Sequence, residues 1–179
     1  MGDKRTKKQF SKIYDKNIDK IYRFIYLKTG SKARAEDLAS EAFLKAYKNF
    51  AKRKNNPEAA DIKNPRAFLY QVARSTVADY YRKEGDITKV NLEDAKDIES
   101  SEDIHKEAEI SLDANKAKSA LSNIKENYKE IIILRYIEEY SNSEIAEILG
   151  KSEGATRVML HRALNSLKEE IEAEKVRTS

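Results

Sequence analysis

Apolar residues recur along this chain at intervals of three and four rather than two, the spacing of helices that each bury one face. Phe10, Ile13, Tyr14, Ile18, Ile21 and Ile25 form the first series, and Thr29-Gly30-Ser31 closes it with a stop and a cap for the next helix. That second helix is predicted over residues 33–50. Its inner side is Ala35, Leu38, Ala39, Ala42, Phe43, Ala46 and Phe50. Asp37, Ser40, Glu41, Leu44 and Lys48 fall on the opposite side, where one leucine among polar groups points to a docking contact. Residues 51–63 are charged, include Asn55-Asn56-Pro57 and have no periodic face, so a loop is expected there.

Asn64-Pro65 supplies a cap and a first-turn proline for a third helix reaching about residue 83. On a helical wheel its core arc is Phe68, Leu69, Val72, Ala73, Thr76 and Tyr80, and a second arc holds Arg66, Tyr70, Arg74, Val77 and Tyr81. That second arc interleaves cations with rings. Such a surface suits single-stranded nucleic acid, because arginines hold phosphates while rings stack on unpaired bases for about 1–3 kcal/mol each. Taken by itself, the same arc also reads as the amphipathic rim of a plain helical bundle. Residues 84–120 are acidic, poor in aromatics and weakly periodic, as a flexible linker would be, with helix resuming from about Ile104. Leu121, Ile124, Tyr128, Ile131, Ile132 and Tyr136 then provide two further helices.

The segment from Tyr140 to Ala163 is the most specific. Ser141 and Glu144 stand in capping-box spacing, Ile145, Ala146, Ile148 and Leu149 give an apolar face, and Gly150 sits where a left-handed residue ends a helix. Ser152 caps the next helix. There Thr156, Leu160, Ala163 and Leu167 share one side, whereas Gly154, Arg157, Val158, His161 and Arg162 share the other. This reads as a helix-turn-helix with a basic second helix free to enter a major groove, although short helix pairs joined by a Gly turn also occur in plain helical bundles.

Composition narrows the class. With five Gly, two Pro and no Cys in 179 residues, the chain reads as all-α, without disulfides or Cys-ligated zinc. The longest aliphatic run, Ile131 to Leu134, is far short of the roughly 20 residues of a membrane span. The basic start, Lys4 to Lys8, has no apolar stretch after it, so no signal peptide is read. A cytoplasmic protein without direct membrane insertion is expected. Charge is uneven: residues 1–83 carry 21 Lys and Arg against 9 Asp and Glu, residues 84–120 carry 5 against 11, and residues 121–179 carry 9 against 11. The basic first block suits a polyanion partner. His105 and His161 are isolated and no phosphate loop is present, so no enzyme, metal or cofactor is read from the chain.

Ala35-Glu-Asp-Leu-Ala-Ser-Glu-Ala-Phe-Leu-Lys-Ala-Tyr47, Asn64-Pro-Arg-Ala-Phe-Leu-Tyr-Gln-Val-Ala-Arg74 with Asp79-Tyr-Tyr-Arg82, and the terminal helix-turn-helix together resemble the two domains of extracytoplasmic-function sigma factors. The resemblance covers about Phe10 to Lys83 and Leu121 to Glu170. It implies two small helical domains joined by an acidic linker: a region 2-like bundle (1–83), the linker (84–120) and a region 4-like helix-turn-helix (121–179). It implies a non-enzymatic initiation subunit that directs core RNA polymerase to −10/−35 promoters, and whose relatives are often held by an anti-sigma factor. By position, Asp37, Ser40, Glu41 and Leu44 would dock on the clamp helices of the largest polymerase subunit. Asn64, Arg66, Tyr70 and Arg74, with the loop before them, would handle the opened −10 strand. Glu153, Gly154, Arg157, His161 and Arg162 would meet the −35 duplex. The chain departs from the family at Ser40, often Gln; at Phe68, often Trp; and at Val158-Met159, where a polar and basic pair is more usual. The competing reading is a stand-alone helix-turn-helix regulator, with an N-terminal effector or dimerisation domain, that binds an operator tightly without polymerase.

Overall fold

The computed structural model describes residues 2–88 and 108–179, and every element among them is a helix. The chain divides into two compact units.

The first unit is three long helices, α1 (Gly2–Thr29), α2 (Lys32–Lys54) and α3 (Pro65–Thr88). Gly30 makes the turn from α1, and the Ser31 hydroxyl accepts the Arg34 N–H to cap α2. Alanines at 35, 39, 42 and 46 lie on the buried side of α2 and let its neighbours approach closely, while the core is filled by Phe10, Ile21, Phe24 and Ile25 of α1. Rings lock the layers: Phe10 meets Tyr47 edge-on at 5.3 Å, Tyr14 meets Phe43 at 4.7 Å, and Phe24 meets Tyr70 at 5.2 Å. At the start of α3, the Asn64 side chain accepts the Ala67 N–H at 3.0 Å. At its other end, the Tyr81 hydroxyl donates to the Lys28 carbonyl at 3.1 Å and so ties α3 to the end of α1.

The second unit contains α4 (Ala108–Asn123), α5 (Glu126–Ile132), α6 (Asn142–Leu149) and α7 (Glu153–Arg177). α5 runs on into one wide π turn over Ile133–Ile137, closed by the Glu138 N–H donating to the Ile133 carbonyl at 3.0 Å. Glu139 then takes φ 58°, and the Arg135 guanidinium holds the Tyr140 carbonyl at 2.8 Å. The core is Ala120, Ile124, Ile131 to Leu134, Tyr140, Ile145, Ile148 and Ala163. Near its far end α7 lies along α4, where Ser119 donates to Glu174 at 2.5 Å and Asn123 to Glu170 at 3.2 Å.

The elements differ from the sequence expectations in four places. Helix α2 continues to Lys54, which shortens the expected 51–63 loop. Residues 84–88 belong to α3, which therefore runs past its expected end near residue 83 into the 84–120 segment; helix at the other end of that segment, α4 from Ala108 with Ala120 fully buried, accords with the expected resumption from about Ile104, and 89–107 lie outside the described residues. Tyr136, counted in the apolar series of this region, is 55% exposed, because the extra residue in the π turn rotates the end of the helix and buries Ile133 and Leu134 instead.

The fourth difference is the face of α3. Tyr70 and Val77, expected on the outward arc, are 0% and 1% exposed, whereas Phe68 and Val72 of the expected core arc are only half-buried. α3 packs on α1 as well as α2, and the α1 side offers the Phe24 ring as a partner for Tyr70. That second contact turns the buried face round the helix.

Candidate nucleic-acid and partner interfaces

Three surfaces stand out. On α2, Asp37, Ser40, Glu41 and Leu44 share one exposed side, and Leu44 is 54% exposed although its helix already has a complete core face. Glu41 pairs with Lys45 at 2.7 Å, and Lys45 also reaches Asp79 of α3 at 3.7 Å. Ser40 donates its hydroxyl hydrogen to the Glu36 carbonyl at 2.9 Å, so towards a partner it is left as an acceptor.

The second surface is a groove between α2 and α3 of about 370 Å³, lined by Lys45, Lys48, Asn49 and Arg53 on one side and Phe68, Gln71, Val72 and Ser75 on the other. Its floor is apolar and its α2 wall is basic. An aromatic ring beside amine and guanidinium groups suits a strand with bare bases and phosphates. Of the residues expected to act on an opened strand, Asn64 caps α3, Arg66 and Arg74 are half-buried and already engaged with neighbours, and Tyr70 is enclosed. A ring with no exposed face cannot stack on a base, so Tyr70 is a packing residue. Sequence reasoning missed Lys45, Lys48 and Asn49 of the groove's α2 wall, whereas Arg53 falls in the 51–63 segment expected to meet the strand. The signal was the pair Phe68 and Val72 at four-residue spacing, alongside Gln71 and Ser75, which make a poor core face.

Beyond the groove, α3 ends in a polar cluster. The Tyr80 hydroxyl donates to Glu84, Arg34 of α2 reaches Glu84 at 3.4 Å, and the same guanidinium lies 5.5 Å from the Tyr80 ring centre. Burial, and then the bond to Glu84, push the Tyr80 hydroxyl up to about 12. It stays a neutral donor throughout the physiological range.

The third surface is the helix-turn-helix, built by local rules. The Ser141 hydroxyl accepts the Glu144 N–H at 3.2 Å while the Glu144 carboxylate accepts the Ser141 N–H at 2.8 Å, a complete capping box. Gly150 takes φ 63°, a conformation that would strain any side chain, and the Lys151 N–H closes back on the Ala146 carbonyl at 2.9 Å. Ser152 caps α7 by accepting the Ala155 N–H at 3.1 Å. Thr156 and Ala163 are buried and anchor α7, with Leu160 and Leu167 half-buried beside them. Glu153, Gly154, Arg157, Val158, His161 and Arg162 are all exposed. The structure adds Asn165, whose amide meets the His161 ring at 3.3 Å one turn on. Among the described residues no cluster of His, Cys, Asp or Glu is placed to hold a metal ion, and no helix is long and apolar enough to cross a membrane.

The model of sigma-70 region 2 matches residues 13–87, and that of sigma-70 region 4 matches residues 115–167. The chain belongs to the sigma-70 family. Within it, the chain is an RNA polymerase sigma factor of the extracytoplasmic-function type. It is 33% identical over 162 residues to the ECF sigma factor BldN of Streptomyces coelicolor, a match covering 88% of this chain and 58% of BldN. With SigW of Bacillus subtilis it shares 29% identity over 172 residues, 90% of this chain and 88% of that protein. Among solved structures it resembles the sigma factor RpoE of Bartonella quintana, crystallised with the anti-sigma factor NepR, at a TM-score of 0.66 and 25% identity, covering 92% of this chain and 98% of that one. A stand-alone regulator would carry an effector or dimerisation domain ahead of its helix-turn-helix; the region 2 match over the first unit favours a sigma factor, which is an initiation factor and not an enzyme.

Proposed function

We propose that this sigma factor recruits core RNA polymerase through the exposed side of α2 and brings it to promoters by two DNA contacts, one from each unit. The observation that carries this is the succession of region 2 and region 4 on one chain, each with its own exposed surface of matching chemistry. Asp37, Ser40, Glu41 and Leu44 dock on the clamp helices of the largest polymerase subunit, with Leu44 as the apolar anchor. The opened −10 strand runs along the groove, its phosphates held by Lys48 and Arg53 and its bases against Phe68, while Asn64, Arg66 and Arg74 shape the adjoining end of α3. Glu153, Gly154, Arg157, His161 and Arg162 of α7 meet the −35 duplex in its major groove.

Because both units belong to one chain, engagement of either raises the local concentration of the other at its own element. The protein works in the cytoplasm, where polymerase and promoters are. An anti-sigma factor, the kind of partner with which RpoE was crystallised, regulates it by covering the same faces. Run-off transcription on a genomic promoter library, with core enzyme plus this chain against core alone, tests the assignment. New promoter-specific starts are expected. Tight DNA binding by the isolated chain with no polymerase-dependent starts would establish the regulator reading in its place.

A further inference from the structure

We propose that Val158 reads the 5-methyl group of a thymine within the −35 duplex, and that Gly154, one turn earlier on α7, is the notch that lets this side chain come close enough. The inference rests on the assignment of α7 to the −35 major groove and adds to it a base preference with a named reader.

Two independent observations support it. Val158 is 52% exposed, whereas the next two residues, Met159 and Leu160, are half-buried. It is therefore not a displaced core residue. It stands in a polar setting, with Arg157, His161 and Arg162 exposed around it. A valine in a helix holds one strongly preferred rotamer, so it presents two methyl groups in a fixed position at little entropic cost. Among the base-pair edges of a major groove, the 5-methyl of thymine is the one methyl group. A rigid apolar knob set between arginines on such a helix has that methyl as its natural counterpart.

The second observation concerns Gly154. A side-chain carbon built there would meet nothing within 4 Å, and the residue has ordinary helical φ. Nothing inside the protein calls for glycine, although it weakens a helix by roughly 1 kcal/mol relative to alanine. The missing side chain instead leaves the helix surface low beside Val158, which favours close approach of a backbone or base edge from outside the chain.

The test uses the holoenzyme, formed from core polymerase and the full chain, to select from a promoter duplex library randomised across the −35 element. Wild-type holoenzyme should retain thymine at one position or more. Replacing that thymine with uracil removes only the methyl group and should weaken binding about fourfold, the worth of one buried methyl. In Val158→Ala the uracil penalty should shrink well below the wild-type fourfold, while preferences elsewhere in the element persist and the circular dichroism is unchanged. Gly154→Ala should keep or raise helical stability and still weaken −35 binding. A uracil penalty of the same size in wild type and Val158→Ala overturns the inference and leaves the promoter-reading assignment standing. So does the absence of any methyl-sensitive position in a holoenzyme that otherwise selects −35 sequences. No −35 selection at all would overturn both.

Discussion

The two units present nucleic-acid surfaces made in different ways. In the second, the face of α7 is a property of one helix: a capping box, a left-handed glycine and a serine cap fix where α6 ends and α7 begins, and a buried Thr156 and Ala163 fix its rotation. In the first, no single helix carries the surface. The groove exists because α2 and α3 lie side by side, with Lys48, Asn49 and Arg53 on one wall and Phe68 and Val72 on the other. A locally encoded surface tolerates loss of tertiary packing better than a composite one, and it is also easier to read from a sequence. Substitutions that separate packing from contact put this contrast under the most strain.

Tyr70→Ala should have the largest effect. The ring is fully buried against Phe24, and removing a large aromatic side chain from such a site costs about 3–5 kcal/mol. Urea unfolding followed by hydrogen exchange should show protection lost in α1 to α3 and retained in α5 to α7. Phe68→Ala, at a half-buried groove position, should leave α1 to α3 much more stable than Tyr70→Ala does and still reduce promoter opening seen by permanganate reactivity. Equal destabilisation by the two variants would mean that Phe68 is a core residue and that the groove is an accident of packing.

Leu44→Arg separates docking from folding within the same unit. An exposed leucine contributes little to the core, but as the anchor of an interface it is worth about 2 kcal/mol or more, roughly thirtyfold in affinity. Polymerase association measured by co-elution should fall while the thermal melt hardly moves. A falling melting temperature with intact association would place Leu44 in the fold and remove it from the interface.

Legibility in the sequence divides along the same line. The capping box at Ser141 and Glu144, the stop at Gly150 and the outward set Arg157, His161 and Arg162 depend on neighbours within a turn or two, and the structure has them as the spacing implies. The inner side of α2 was equally plain, because its alanines and phenylalanines form one unbroken stripe. α3 was not. Its apolar residues form two arcs, and which arc is buried depends on α1, some fifty residues away, where Phe24 draws in Tyr70. The exposure of Tyr136 has a similar cause, since a single π turn leaves no mark in a pattern of apolar spacing.

Arg157→Ala should act on recognition alone. The side chain is exposed on α7, so stability should hold, while loss of a base contact costs about 1–3 kcal/mol at one position of the −35 element. Loss of a phosphate contact would instead lower affinity evenly and reduce the salt dependence by about one ion. Competition between promoter duplexes at several salt concentrations distinguishes the two. An unchanged preference together with an unchanged salt slope would take Arg157 out of the interface.

The smallest expected effect tests the local construction of the second unit directly. Ser141→Ala removes one half of the capping box, leaving the Glu144 N–H without its acceptor, at a cost of about 1 kcal/mol. Because Glu144 still accepts from the residue 141 backbone N–H and the apolar face of α6 is unchanged, the helix should persist with looser ends. Amide exchange in the first turn of α6 should quicken about fivefold, the rate equivalent of that energy. The −35 preference should stay as it was, since α7 has its own cap in Ser152 and its own anchors in Thr156 and Ala163. If promoter preference shifts with the α6 cap, the orientation of α7 is set by α6 rather than by α7's own cap and anchors, and the second surface is as composite as the first.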